Sequence, residues 1–159
     1  MKRLALLGLM VFMLSVLSGC QGTAQSDGSQ VKISKSKVEV QDERGKSEIS
    51  IGNEGEVALP EGYPADIVPV MEGAKVTTAT KGADGSYSVM LTSEKPVSDI
   101  KRYYEGVLSG ISDLQKQDMG DIVNMMGSKG EKTIVLNISE DAASGKNQRI
   151  ISISIIPAE

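Results

Sequence analysis

Between residues 31 and 58 apolar side chains recur at every second position: Val31 and Ile33, Val38 and Val40, then Ile49 and Ile51. A period of two sends alternate side chains to opposite faces of an extended chain. The stretch therefore predicts strands, with Asp42-Glu43-Arg44-Gly45 turning a polar β-hairpin. Alternation returns more strongly at 74–81 and 86–92, on either side of Gly82-Ala83-Asp84-Gly85, where Tyr87, Val89 and Leu91 share one dry face. A short apolar stretch at 122–126 leads into a turn at 127–130. Residues 132–139 then place Ile134, Leu136 and Ile138 inward. After a polar loop at 141–147, residues 148–156 set Ile151, Ile153 and Ile155 against Ile150 and Ile156 on the opposite face.

One segment changes period. Ile100, Tyr103, Tyr104, Val107, Leu108 and Ile111 are spaced three and four apart, which draws an apolar stripe down a helix. Pro96 suits the first turn, Asp99 suits the positive end of the dipole, and Gly110 is a stop. The tyrosine pair reads as core.

These elements predict an α+β fold: a two-layer, mainly antiparallel β-sheet with one amphipathic helix in the order ββαβββ, preceded by the polar hairpin arm. The helix is expected to lie across the sheet, with Ile100, Tyr104, Val107, Leu108 and Ile111 against Val89, Leu91, Ile134, Leu136, Ile151 and Ile153.

Between arm and sheet, Pro60, Pro64 and Pro69 forbid a helix and bias Leu59, Tyr63 and Val68 towards extended backbone. The segment reads as a rigid strap over the core. Tyr63 with Asp66 is the one candidate binding pair it offers, as the lining of a ligand groove. Asp66 with Glu61 is the alternative, a carboxylate pair acting on cell-wall glycans, which requires two carboxyls about 5–9.5 Å apart.

The first residues follow neither period. Lys2 and Arg3 precede an apolar run from Leu4 to Leu17, broken only by Gly8 and Ser15, and the chain then reads Leu17-Ser18-Gly19-Cys20. The run is a signal-peptide core, shorter than the roughly 20 residues of a transmembrane helix. Leu-Ser-Gly-Cys resembles the lipobox of bacterial lipoproteins. That resemblance implies cleavage before Cys20, a diacylglyceryl group on its sulfur, and a lipid anchor on the extracytoplasmic face of the cell membrane. Residues 1–19 are then the signal peptide and 20–30, polar and Gly/Ser-rich, a flexible tether. The arm covers 31–58 and the α+β domain 59–159. With Leu59-Pro60-x-x-Tyr63-Pro64-x-Asp66-Ile67-x-Pro69 and Val97-x-x-Ile100-x-x-Tyr103-Tyr104-x-x-x-Leu108, the chain resembles small lipoproteins of Gram-positive bacteria that carry no assigned activity. It departs from their pattern at 112–119, where a tryptophan is expected after the helix and Leu114 stands.

Composition narrows the chemistry. The chain has no histidine, which removes Ser-His-Asp and Cys-His catalysis and the common zinc sites. Cys20 is its only cysteine, so no intramolecular disulfide forms. The formal charge is −4, and removing Lys2 and Arg3 with the leader takes it to −6, without the basic excess that nucleic acid requires. In the arm, Lys32, Lys35 and Lys37 could touch anionic lipid, but Glu39, Asp42 and Glu43 oppose them. There is no tryptophan, and the one phenylalanine, Phe12, lies in the leader. No phosphate loop, nucleophile elbow or calcium loop is present. The methionines at 71, 90, 119, 125 and 126 read as core filling rather than a soft-metal site.

The expectation is a non-enzymatic membrane-anchored lipoprotein, without catalytic residues, metal or cofactor, that binds an envelope protein or a small ligand. A carboxylate enzyme or enzyme accessory and a purely architectural lipoprotein are the alternatives.

Overall fold

A computed structural model describes residues 22–26, 29–34, 36–43, 45–52, 56–141 and 147–158. Ten antiparallel strands form one sheet: β1 (Gly22–Ser26), β2 (Ser29–Ile33), β3 (Lys37–Asp42), β4 (Gly45–Ile51), β5 (Lys75–Lys81), β6 (Tyr87–Ser93), β7 (Ser112–Asp118), β8 (Ile122–Lys129), β9 (Lys132–Glu140) and β10 (Arg149–Pro157). One helix, α1 (Val97–Val107), interrupts them and ends in a 3-10 turn over Leu108–Gly110. The fold is α+β and mostly β.

Strand order across the sheet is β1-β2-β3-β4-β5-β6-β10-β9-β8-β7. After β6 the chain leaves the ladder, crosses one face as α1, and re-enters at the far edge as β7. Two short turns, at 119–121 and 130–131, and the connection from β9 to β10 then bring it back, so that β10 pairs with β6 in the register Ile151↔Leu91 and Ile153↔Val89.

That register builds the core in rows. Leu91, Ile151, Ile138 and Val123 stand in line across four strands, and Val89, Ile153, Leu136 and Met125 form the next row. All eight are at most 1% exposed. Ile100, Tyr104 and Leu108 of the helical segment cover them and are equally buried. Burying such a side chain contributes roughly 1.5–3 kcal/mol. The strap closes the same face with Val68 and Met71. Its prolines break it into tight turns, with Tyr63 and Ile67 donating back to the Pro60 and Pro64 carbonyls, rather than one extended run.

The structure corrects the expected order in three places. An extra strand, β7, follows the helix. Only Leu114 is apolar among its large side chains and the rest are exposed, so no alternation announces it. It is held at the edge by its ladder to β8 and by two ion pairs to α1, Lys101 with Asp118 and Lys116 with Glu105. Exposed pairs of this kind contribute at most about 1 kcal/mol each.

The second correction lies in the expected tether, where Gly22–Ser26 and Ser29–Gln30 are paired strand rather than free chain. A polar Gly/Ser segment cannot build a core, but the unpaired amides of β2 offer a template that any backbone can extend. The third is the turn placed at 127–130. β8 runs through Gly127 to Lys129, and the reversal is confined to Gly130 and Glu131. Pro96 also sits one step outside the helix, as an extended N-cap.

Two tyrosines anchor the strap and helix differently. The Tyr63 hydroxyl donates to the Val68 carbonyl at 2.8 Å, whereas the buried Tyr104 hydroxyl makes no good hydrogen bond. Tyr63→Phe is expected to cost about 1 kcal/mol at neutral pH and Tyr104→Phe close to nothing, read from urea midpoints. Burial raises both phenols, Tyr63 from 10.0 to about 12 and Tyr104 further. A raised folded value means the contribution is complete below pH 10.0 and is lost as pH climbs towards about 12. The urea midpoint therefore falls over that range, and Tyr63→Phe makes the fall shallower.

Candidate functional site

The helix and strap cover one face of the sheet and leave the other open. Rows of paired residues identify what stands there. Ile33, Val38, Ile49, Thr80, Ser88, Ser154, Val135 and Met126 follow one another across eight strands. Next to them run Ile51, Thr78, Met90, Ser152, Asn137 and Asn124. Thr92, Ile150, Ser139 and Ile122 complete the sequence of rows over β6 to β8. Between β4 and β8 the outward positions of these rows are Ser, Thr, Asn, Ile, Val or Met, with Lys75 at the start of β5, paired with Thr92, as the one charged residue.

Exposure singles out the same surface. The exposed large apolar residues among those described are Ile33, Ile51, Met90, Met119, Ile122, Met126 and Ile156. All except Met119, in the β7–β8 turn, belong to the open face. Isolated exposed apolar residues are ordinary, but their gathering on one face is the mark of an interaction surface. The Asn137 side-chain amide donates to the Asn124 Oδ1 within the face, a single hydrogen bond across the ladder.

Charge is displaced to the other side. In the arm, Lys37 lies 3.0 Å from Glu39 and 2.8 Å from Glu48, and Lys46 lies 3.0 Å from Glu39, all on the face opposite Val38 and Ile49. Glu48 foremost, then Glu39, raises the Lys37 ammonium; Lys46 and then Lys37 lower the Glu39 carboxyl. Lys37 is thus engaged within the arm, and Val31, Val38, Val40 and Ile49 remain half-buried on the open side.

A separate cleft of about 580 Å³ opens at the start of α1, lined by Gly73, Lys75, Thr92, Ser93, Lys95 and Gln148 among others. Ser93 is buried there and accepts the Lys95 backbone N–H. The cleft lining mixes polar and apolar surface and meets the open face at Lys75 and Thr92. Among the described residues, no group of three or more His, Cys, Asp or Glu is placed to hold a metal ion.

The sequence candidates differ in exposure along the strap. Tyr63 is only 9% exposed, with its hydroxyl spent on the Val68 carbonyl and its ring edge-on to Tyr87 at 6.0 Å. Asp66 and Glu61 are exposed on the turns of the strap. Tyr63 is therefore a buried anchor, and the expected pairing with Asp66 in a groove is not what the fold makes of it. Cys20 lies outside the described residues.

Core filling describes Met71 and Met125, at 3% and 1% exposure, but not Met90, Met119 or Met126. The open face was missed as a site because each strand reads as amphipathic by itself. Its signal is the absence of lysine and glutamate from outward positions in three neighbouring strands. Ile150 and Ile156, opposite the buried isoleucines of the same strand, are the strongest trace of it.

Comparison with family models, with curated proteins and with solved structures returned no match.

Proposed function

We propose that this protein is a non-enzymatic lipoprotein, anchored through acylated Cys20 outside the cell membrane, that binds a macromolecular partner on the open face of its sheet. The observation that carries the binding role is the collection of Ile33, Ile51, Met90, Ile122, Met126 and Ile156 on one surface poor in charge. Interface centres are depleted of charge in this way. The face carries no tyrosine, which disfavours sugar stacking, and its one cation between β4 and β8, Lys75, stands at the end of a row.

The anchor rests on Leu17-Ser18-Gly19-Cys20 and the short apolar run before it. No helix among the described residues is long and apolar enough to cross a membrane. The absence of histidine supports a binding role over acid–base catalysis.

Mass spectrometry of the protein recovered from membranes tests the anchor. The expected N-terminal peptide begins at Cys20 and carries a thioether-linked diacylglyceryl group. A free thiol at Cys20 with the leader still attached overturns it.

A further inference from the structure

We infer that the occupant of the open face is a second copy of this chain, the two sheets packing face to face as a sandwich with the helices outside. This rests on the binding role proposed for that face, and only the direction of its symmetry axis draws on the lipid anchor.

Area is the first argument. The eight strands that carry the open-face rows, spaced about 4.8 Å apart and about 20 Å long, present roughly 800 Å² on one face. A stable interface takes about 800 Å² from each partner. The face alone is therefore large enough, without help from loops.

Charge is the second. Two copies of an acidic chain repel each other over most of their surfaces. The open face is the broad exception, because Lys75 at the start of β5 is the one charged side chain in its rows from β4 to β8. A surface so poor in charge also offers little pattern by which a different protein would be selected. It does offer alternating Ile, Met, Ser and Thr ridges that can interdigitate with an identical set about 10 Å away.

Symmetry then follows. A two-fold contact places the same patch on both partners. β1 is the edge strand nearest Cys20 in sequence, so two anchors in one membrane require both β1 edges at the same end. That holds when the axis lies between the sheets and runs from β1 towards β7. Each strand then packs antiparallel on its own counterpart, with Ser152 near the middle of the contact.

The test is sedimentation equilibrium of the full chain in a large excess of density-matched detergent micelles, between about 1 and about 100 µM, with thermal melting alongside. The wild type is expected to dimerise, with a melting temperature that rises with concentration. Ser152→Lys, which sets two buried ammonium groups against each other, is expected to weaken the dimer by roughly 100-fold or more. Arg102→Glu, on the exposed side of α1, is expected to leave it unchanged.

A photo-crosslinker in place of Met126, activated in living cells, separates the failures. An adduct of twice the chain mass supports the dimer. An adduct of any other mass overturns the dimer while keeping the open face as the binding surface, and no adduct overturns both. A wild type that stays monomeric over the whole range, or a Ser152→Lys variant that dimerises as well as the wild type, also overturns the inference. Retained strand content in the variant, read by circular dichroism, excludes misfolding as the cause.

Discussion

Leu136→Ala is expected to lower the unfolding free energy by about 3 kcal/mol, and Val135→Ala, one residue earlier, by less than about 1 kcal/mol in dilute protein. The two side chains leave the same strand on opposite sides. Leu136 is 0% exposed between Ile153 and Met125, so truncation loses transfer energy and leaves a cavity that rigid neighbours on β8 and β10 cannot fill. Val135 stands between Ser154 and Met126 on the open face and is only half-buried. Urea titration of both variants measures the contrast. Equal losses would mean that β9 does not separate a dry face from an open one.

Gly127→Ala is expected to destabilise the fold by about 1–3 kcal/mol through overpacking. A Cβ there would stand 2.5 Å from Ile111 Cγ2, 3.0 Å from the Ser112 carbonyl oxygen and 3.3 Å from Leu114 Cα. Two of those contacts are backbone, so relief requires moving the segment that carries the chain from the helix into β7. That segment is already constrained: Asp113 adopts φ 54° beside a bulge between Ser112 and Gln115. Aspartate tolerates this conformation better than most residues. Gly106, in the last turn of α1 with nothing within 4 Å of a Cβ, supplies the contrasting sign. Gly106→Ala is expected to stabilise by roughly 0.5–1 kcal/mol, because it removes unfolded-state freedom without a clash. Calorimetry or urea titration of the pair reads both signs.

Gly127 also shows where local reading of the sequence stops. In Met126-Gly127-Ser128-Lys129-Gly130 the first glycine looks like a turn, since glycine there and glycine in a close crossing are indistinguishable without the crossing chain. The core strands were legible because their dry faces alternate at period two through Val89, Leu91, Ile134, Leu136, Ile151 and Ile153. The helix was legible for the equivalent reason at its own period, and the residues expected to meet the sheet are buried except for half-buried Val107. β7 and β1 were not, because an edge strand held by its backbone ladder, with surface ion pairs added in β7, has no need of apolar side chains.

The candidate site was less legible than the fold. Tyr63 and Asp66 drew notice as an aromatic and a carboxylate among prolines, yet the aromatic serves to pin the strap. The open face has no motif. It emerges only when register places Met90 of β6 with Ile122 and Met126 of β8 on one surface, together with isoleucines of the arm. Charge depletion summed over neighbouring strands is visible in the sequence, but only once the neighbours are known.

Methionine oxidation offers the most direct test, because the chain carries its own controls. Met71 and Met125 are buried, Met119 is exposed in a turn, and Met90 and Met126 belong to the open face. Mild peroxide converts exposed thioethers to sulfoxides and leaves buried ones intact. In the dilute isolated protein Met90, Met119 and Met126 are expected to oxidise together. On intact cells Met119 should oxidise while Met90 and Met126 are protected by whatever covers the sheet. Oxidation of Met90 and Met126 on cells as rapid as that of Met119 would contradict a binding role for this face.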